Sequence, residues 1–179
     1  MKTKLLFLSM LTLVFGGCDL LKDATEVTIE TDLKADIPVV VTAPGKGSAD
    51  QALALAAISF TKTQDLSLSS NADIEPYLSK IEDITLNGLV ITVTGLTAGQ
   101  TINSVSLDVA GVGNIFTQTN ITMSNNSFTP VIAAGKLDQV AAKLTSDKKI
   151  TLTVSGSASG PMTFTVKASF DASILAAAL

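Results

Sequence analysis

Residues 27–41 read VTIETDLKADIPVVV. The odd positions are Val27, Ile29, Thr31, Leu33, Ala35, Ile37, Val39 and Val41; the even ones from 28 to 38 are Thr28, Glu30, Asp32, Lys34, Asp36 and Pro38. Successive side chains of a strand point to opposite faces, so this period of two specifies a β-strand with one face buried and one wet. A helix would repeat its apolar residues at every third or fourth position instead. Pro38 has no N–H to give a ladder, which predicts a sheet edge, a bulge or a strand that changes sheets.

The other end of the chain repeats the pattern. Met162, Phe164, Val166, Ala168 and Phe170 alternate with Thr163, Thr165, Lys167 and Ser169, and the final ILAAAL is expected to complete that strand. Upstream, Ile150, Leu152 and Val154 alternate with threonines until Gly156–Pro161 breaks the run, as a hairpin or as two strands joined at a corner. Val105, Leu107 and Val109 form another alternating strand, a turn at Gly111–Asn114 follows, and Ile115–Met123 returns. In Ile84–Val93 the apolar parity slips across Asn87-Gly88, by a tight hairpin or a bulge; the short arm before the pair favours the bulge.

The stretch APGKGSAD, 43–50, and the segment Leu96–Gln100 read as turns. Gln51–Phe60 is alanine-rich, but with the following Phe60–Ser69 it reads as strand. Two short helices are expected. In Asn71–Lys80, Ser70 or Asn71 serves as cap, Asp73 and Glu75 sit near the positive end, and Ile74, Leu78 and Ile81 share a face. In Gly135–Ser146, Leu137, Val140, Ala141 and Leu144 form one apolar stripe. The fold expected is all-β: an antiparallel β-sandwich of roughly seven to nine strands with two short helices, an open barrel being the alternative.

Composition removes many chemistries. The chain has no histidine, which excludes an imidazole base and His-based metal sites, and all twelve cationic residues are lysine. Gly111-Val112-Gly113 lacks the third glycine and the helix of a dinucleotide fingerprint, and no phosphate-binding loop is present. Carboxylate pairs such as Glu30 with Asp32, or Glu82 with Asp83, read as solvated strand surface; adjacent residues on a strand point apart. Asn125, Asn126 and Asp147 read as turn residues, with no Asp-x-Asp-x-Asp-Gly calcium loop. No catalytic residue, cofactor or metal site is therefore expected.

The one cysteine closes residues 11–18, LTLVFGGC. Before it lie Lys2 and Lys4, then an apolar stretch from Leu5 to Phe15, of signal-peptide length and too short to span a bilayer. Gly16 and Gly17 supply the small residues a signal peptidase needs. This arrangement resembles the lipobox of bacterial lipoproteins, with Phe15 where leucine is usual. The resemblance implies cleavage between Gly17 and Cys18, diacylglycerol on the Cys18 thiol, and acylation of the new amine. Residues 1–17 would then be a signal peptide, 18–24 the lipidated cysteine and tether, and 25–179 a single domain. The chain from Cys18 keeps ten lysines against sixteen carboxylates, a formal charge of −6 that disfavours nucleic acid.

A lipobox followed by a lysine-rich, arginine-free, Thr/Ser-rich β domain resembles lipoproteins common in Bacteroidota. It implies an envelope address at the outer membrane, in the periplasmic or the surface leaflet. Asp19 and Asp23 beside Lys22 are compatible with surface export in that group, whereas enterobacteria would read Asp19 as inner-membrane retention. The expected function is a lipid-anchored, non-catalytic binding or structural module, its ligand held by loops at one sandwich end or by the polar Ser/Thr sheet face, with the Asn71–Ile81 segment and Tyr77 as candidate ligand site. A glycan-binding accessory predicts an exposed ring cluster around Tyr77, Phe60, Phe116 or Phe128 as its platform. A carboxylate hydrolase would need two carboxyls converging in a cleft.

Overall fold

The computed structural model describes residues 25–43 and 57–178. The lipobox-like segment with Cys18, the tether, residues 44–50 and Gln51–Ala56 lie outside them. The described residues form eight strands: β1 (Glu26–Val41), β2 (Ile58–Ser67), β3 (Ile81–Thr94), β4 (Ile102–Val109), β5 (Gly113–Ile121), β6 (Ser127–Phe128), β7 (Lys149–Ala158) and β8 (Met162–Ala177). They build two four-stranded sheets, ordered β1-β8-β3-β6 and β2-β7-β4-β5, with every pairing antiparallel. This is an all-β sandwich, as the alternation predicts.

The inner faces are the apolar positions read from the sequence. Leu33, Ala35, Ile37, Val39 and Val41 of β1 are buried, as are Met162, Phe164, Val166, Ala168 and Phe170 of β8. Phe60 of β2 meets Phe164 of β8 edge to face, ring centroids 5.3 Å apart, and so joins the two sheets along one side. Phe116 of β5 and Phe128 of β6 make a second edge-to-face contact, at 5.9 Å, along the other. Below β6 that side is covered by helix α1 (Lys136–Asp147), which packs along β3 through Val140, Ala141 and Leu144. Lys136 Nζ also donates to the Val112 carbonyl in the β4–β5 turn.

Register defines two ends. Glu26 pairs with Ala177, and Ser67 with Lys149, at the near end, where β1 begins. Val41 pairs with Met162, and Ile58 with Ala158, at the far end. The near end holds α1, the 71–80 segment and the end of β8. Ala178 N donates to the Thr25 carbonyl, and Lys80 Nζ to that of Ala178, fastening the first and last described strands together.

Several alternatives resolve here. Pro38 lies on an edge strand, where a missing N–H costs no ladder bond. Asn87-Gly88 is a bulge inside a continuous β3. Strand β7 runs on to Ala158 and β8 starts in the other sheet, so Ser159–Pro161 is a corner rather than a hairpin. Strand β5 ends at Ile121, two residues before the expected Met123, because Asn125 Oδ1 accepts the Thr122 N–H and folds 122–125 into a turn.

The helix expected over Asn71–Lys80 is corrected to a 3-10 helix over Glu75–Lys80. Neither Ser70 nor Asn71 caps this helix: its N-cap is Ile74, without a side-chain bond, and Asn71 Oδ1 accepts the Asp73 N–H at 2.9 Å in a turn ahead of it. Pro76 has no N–H to give an i→i−4 bond, and the segment turns into β3 within one further turn. Asn71 Nδ2 also donates to Thr31 Oγ1 at 3.0 Å, which accounts for a polar residue on the apolar side of β1.

Candidate functional site

The two outer faces of the sandwich differ chemically. On the first sheet, β1 presents Glu30, Asp32, Lys34 and Asp36, and β8 presents Lys167 and Asp171. Lys34 pairs with Asp32 at 3.1 Å and Lys167 with Asp36 at 3.3 Å. Between them and β3 lies an open depression of about 580 Å³, bordered by Lys34, Asp36, Val90, Thr92, Lys167 and Ser169. This is an ordinary salt-bridged, solvated surface.

The second sheet presents hydroxyls instead. Its central strand β7 points Thr151, Thr153, Ser155 and Ser157 outward, between buried Ile150, Leu152 and Val154. On one side β2 sets Ser59 opposite Ser157, Thr61 opposite Ser155 and Thr63 opposite Thr153. On the other, β4 sets Ser104 opposite Ser157 and Ser106 opposite Ser155, and β5 continues the rows with Thr119 and Thr117. Neighbours bond to each other: Thr63 with Thr153 at 3.5 Å, Ser104 with Ser157 at 3.0 Å, and Ser106 with Thr117 at 2.8 Å. Charge enters at the near end of this face, with Asp108 and with Asp65, which pairs with Lys149 at 3.2 Å. Thr151 also donates to Asp65 Oδ1 at 2.7 Å. That hydrogen bond, and then Lys149, hold the Asp65 carboxyl below its ordinary value.

The aromatic residues do not assemble into a platform. Phe60 and Phe116 are buried, Phe128 packs on Phe116, and Tyr77 lies half-buried in the 3-10 helix at the near end. The far end carries a shallow hollow between the β3–β4 and β5–β6 turns, bordered by Thr97, Gln100, Thr122 and Ser124. Gln100 Oε1 there already accepts the Thr97 N–H, and Thr122 Oγ1 donates to Asn125.

The carboxylates stay on the solvent side. Glu30 accepts a hydrogen bond from Ser173 at 2.7 Å. Glu82 and Asp83 do not point to opposite faces as expected; a register shift between Ile81 and Asp83 leaves both exposed. Asn125 acts within its own turn, whereas Asp147, expected in a turn, is the last residue of α1. The Asp147 carboxyl lies below its ordinary value because Lys143, and then Ser146, donate to it. No described helix is long and apolar enough to cross a membrane.

A polar Ser/Thr sheet face was expected from the sequence, but not which strands would share it. The individual residues are plain in the strands, but only register aligns them across four neighbours.

No family model matches this chain, and no curated protein matches it. Among solved structures, a chain from Desmodium yellow mottle tymovirus is similar over 84% of this chain and 90% of its own, at 14% identity and a TM-score of 0.35. Likeness of that size has no bearing on function.

Proposed function

We propose that this chain is a lipid-anchored cell-envelope protein whose β-sandwich is a non-catalytic binding or structural module. The observation that carries this reading is the arrangement LTLVFGGC at residues 11–18, a short apolar segment running into two glycines and the chain's one cysteine. Acyl chains on Cys18, each contributing ~0.8 kcal/mol per buried CH₂, would hold the domain firmly on a membrane. The geometry is compatible with such an anchor. Strand β1 starts at the near end, and the seven residues from Cys18 to Ala24 reach at most ~25 Å when fully extended. The near end, with Tyr77 and α1, then faces the membrane, and the far-end turns project away from it.

The test is the intact mass of the protein from its own host beside a Cys18→Ala variant, with protease shaving of whole cells. A mass equal to the chain from Cys18 plus acyl groups, abolished in the variant, supports the anchor. Cleavage of the domain by external protease assigns the surface leaflet, and protection assigns the periplasmic side. An unmodified Cys18 overturns the reading.

A further inference from the structure

We propose that the outer face of the second sheet binds a neutral polysaccharide chain. This rests on the reading of the sandwich as a non-catalytic binding module and names the class of ligand it takes.

The first argument is charge. Ser155 at the centre has Thr61 on one side and Ser106 on the other; the charged side chains of the face are Asp108, opposite Thr153 in the next row, and the Asp65–Lys149 pair at the near end. The opposite sheet, under the same demand for solubility, uses lysine and carboxylates. Covering a hydroxyl costs far less than covering an ion, and Ser and Thr have far less rotamer freedom to lose than Lys or Glu. The face is thus the cheaper of the two to dehydrate. An acidic or basic polymer would find no counter-charge across its centre.

The second argument is repetition. Strand spacing places the rows about 4.8 Å apart, with outward residues about 6.7 Å apart along each strand. Each hydroxyl both donates and accepts, so a polymer with hydroxyls on every unit meets the same chemistry along its length. Sheet twist suits a flexible chain and spoils the match to a flat crystal such as ice.

The third argument is area. Four strands and four outward rows at those spacings cover about 500 Å², less than two thirds of the ~800 Å² per partner in a stable protein interface. A second copy seated here would gain too little, whereas a long chain crossing many anchored copies gains by avidity. With no ring on this face, hydrogen bonds supply the contact and each site is weak.

The experiment uses the full-length Cys18→Ala chain in mild detergent, so that its result is independent of whether Cys18 is acylated. Depletion onto amylose resin, microcrystalline cellulose and chitin is measured, with polygalacturonate as the acidic polymer. Ser155→Lys places a charge at the centre of the face, Thr61→Lys does so on the edge strand where folding is least at risk, and Thr85→Lys on the opposite sheet is the control. Melting curves establish that each variant folds. Retention on at least one neutral polymer, weakened at least ten-fold by Ser155→Lys or Thr61→Lys and unchanged by Thr85→Lys, supports the proposal. Retention on none of the neutral polymers overturns it. So does retention on polygalacturonate alone, retention indifferent to both face variants, or a dimer in light scattering that those variants dissolve.

Discussion

The carbonyl oxygen of Ser104 occupies the place that a Cβ on Gly156 would take, and the tip of the Phe60 ring lies 2.8 Å from the same point. Gly156 pairs with Phe60 on one side and Val105 on the other, beside the register shift in β4 between Ile102 and Ser104. A glycine inside a strand here marks a close backbone approach. Gly156→Ala is therefore expected to destabilise the fold by roughly 1–3 kcal/mol through forced displacement of packed groups. The check is urea unfolding, with the midpoint lowered at unchanged slope. Because the obstructing atom belongs to the backbone, adding Phe60→Leu should not restore the midpoint.

Asp32 and Asp171 stand directly opposite each other on β1 and β8, with Lys34 bonded to Asp32. Like charges across an antiparallel pair repel. Asp171→Asn should raise stability by about 0.2–1 kcal/mol, the size of such cross-strand effects. A melting temperature equal to or below that of the wild type would count against this repulsion.

Lys62 lies on edge strand β2 with the same parity as buried Phe60 and Leu66, yet is exposed. An inward-pointing charge on an edge opposes pairing with another chain. Lys62→Val should leave thermal stability within about 0.5 kcal/mol, the usual range of surface changes, and increase turbidity on prolonged incubation. Unchanged turbidity would show that β2 needs no such protection.

Acid should weaken the fold through Asp65 and Asp147, both held below the ordinary value of 3.8 by donors in the native state. A carboxyl with a lowered native pKa binds its proton less readily folded than unfolded. Its contribution is present above 3.8 and fades as the pH falls through the lowered native value. The double variant Asp65→Asn, Asp147→Asn should show a smaller drop in urea midpoint between about pH 6 and about pH 2.5 than the wild type. Both groups are exposed, so the difference should be modest.

The strands were legible wherever one face is buried and one wet, because the period of two then appears directly in the residues, as in Val27–Val41 and Met162–Phe170. The stripe Leu137, Val140, Ala141 and Leu144 announced α1 for the equivalent reason, at a period of 3.6. Sheet membership was not legible at Ser159–Pro161, since a hairpin and a corner both need a short break between alternating runs. The 3-10 geometry of Glu75–Lys80 was hidden because Asn71 reads as a cap, whereas its Oδ1 closes a separate turn on Asp73 and the helix starts only after Ile74, with Pro76 in its first turn. The hydroxyl face depends on which strands are neighbours. Thr61, Ser155 and Ser106 are scattered along the sequence, and only long-range pairing sets them side by side.

Strands β1 and β8, each of sixteen residues, pair along their whole length, from Glu26 with Ala177 to Val41 with Met162. During synthesis the first of them emerges long before β8, its one sheet neighbour among the described residues, exists. Until β8 arrives, β1 has no hydrogen-bonding partner in its sheet, and β3 lacks its long one. Pairings so distant along the chain form slowly. The polypeptide thus carries a built-in delay: the sandwich closes only when its last long segment is delivered, and acquires its stability late and all at once.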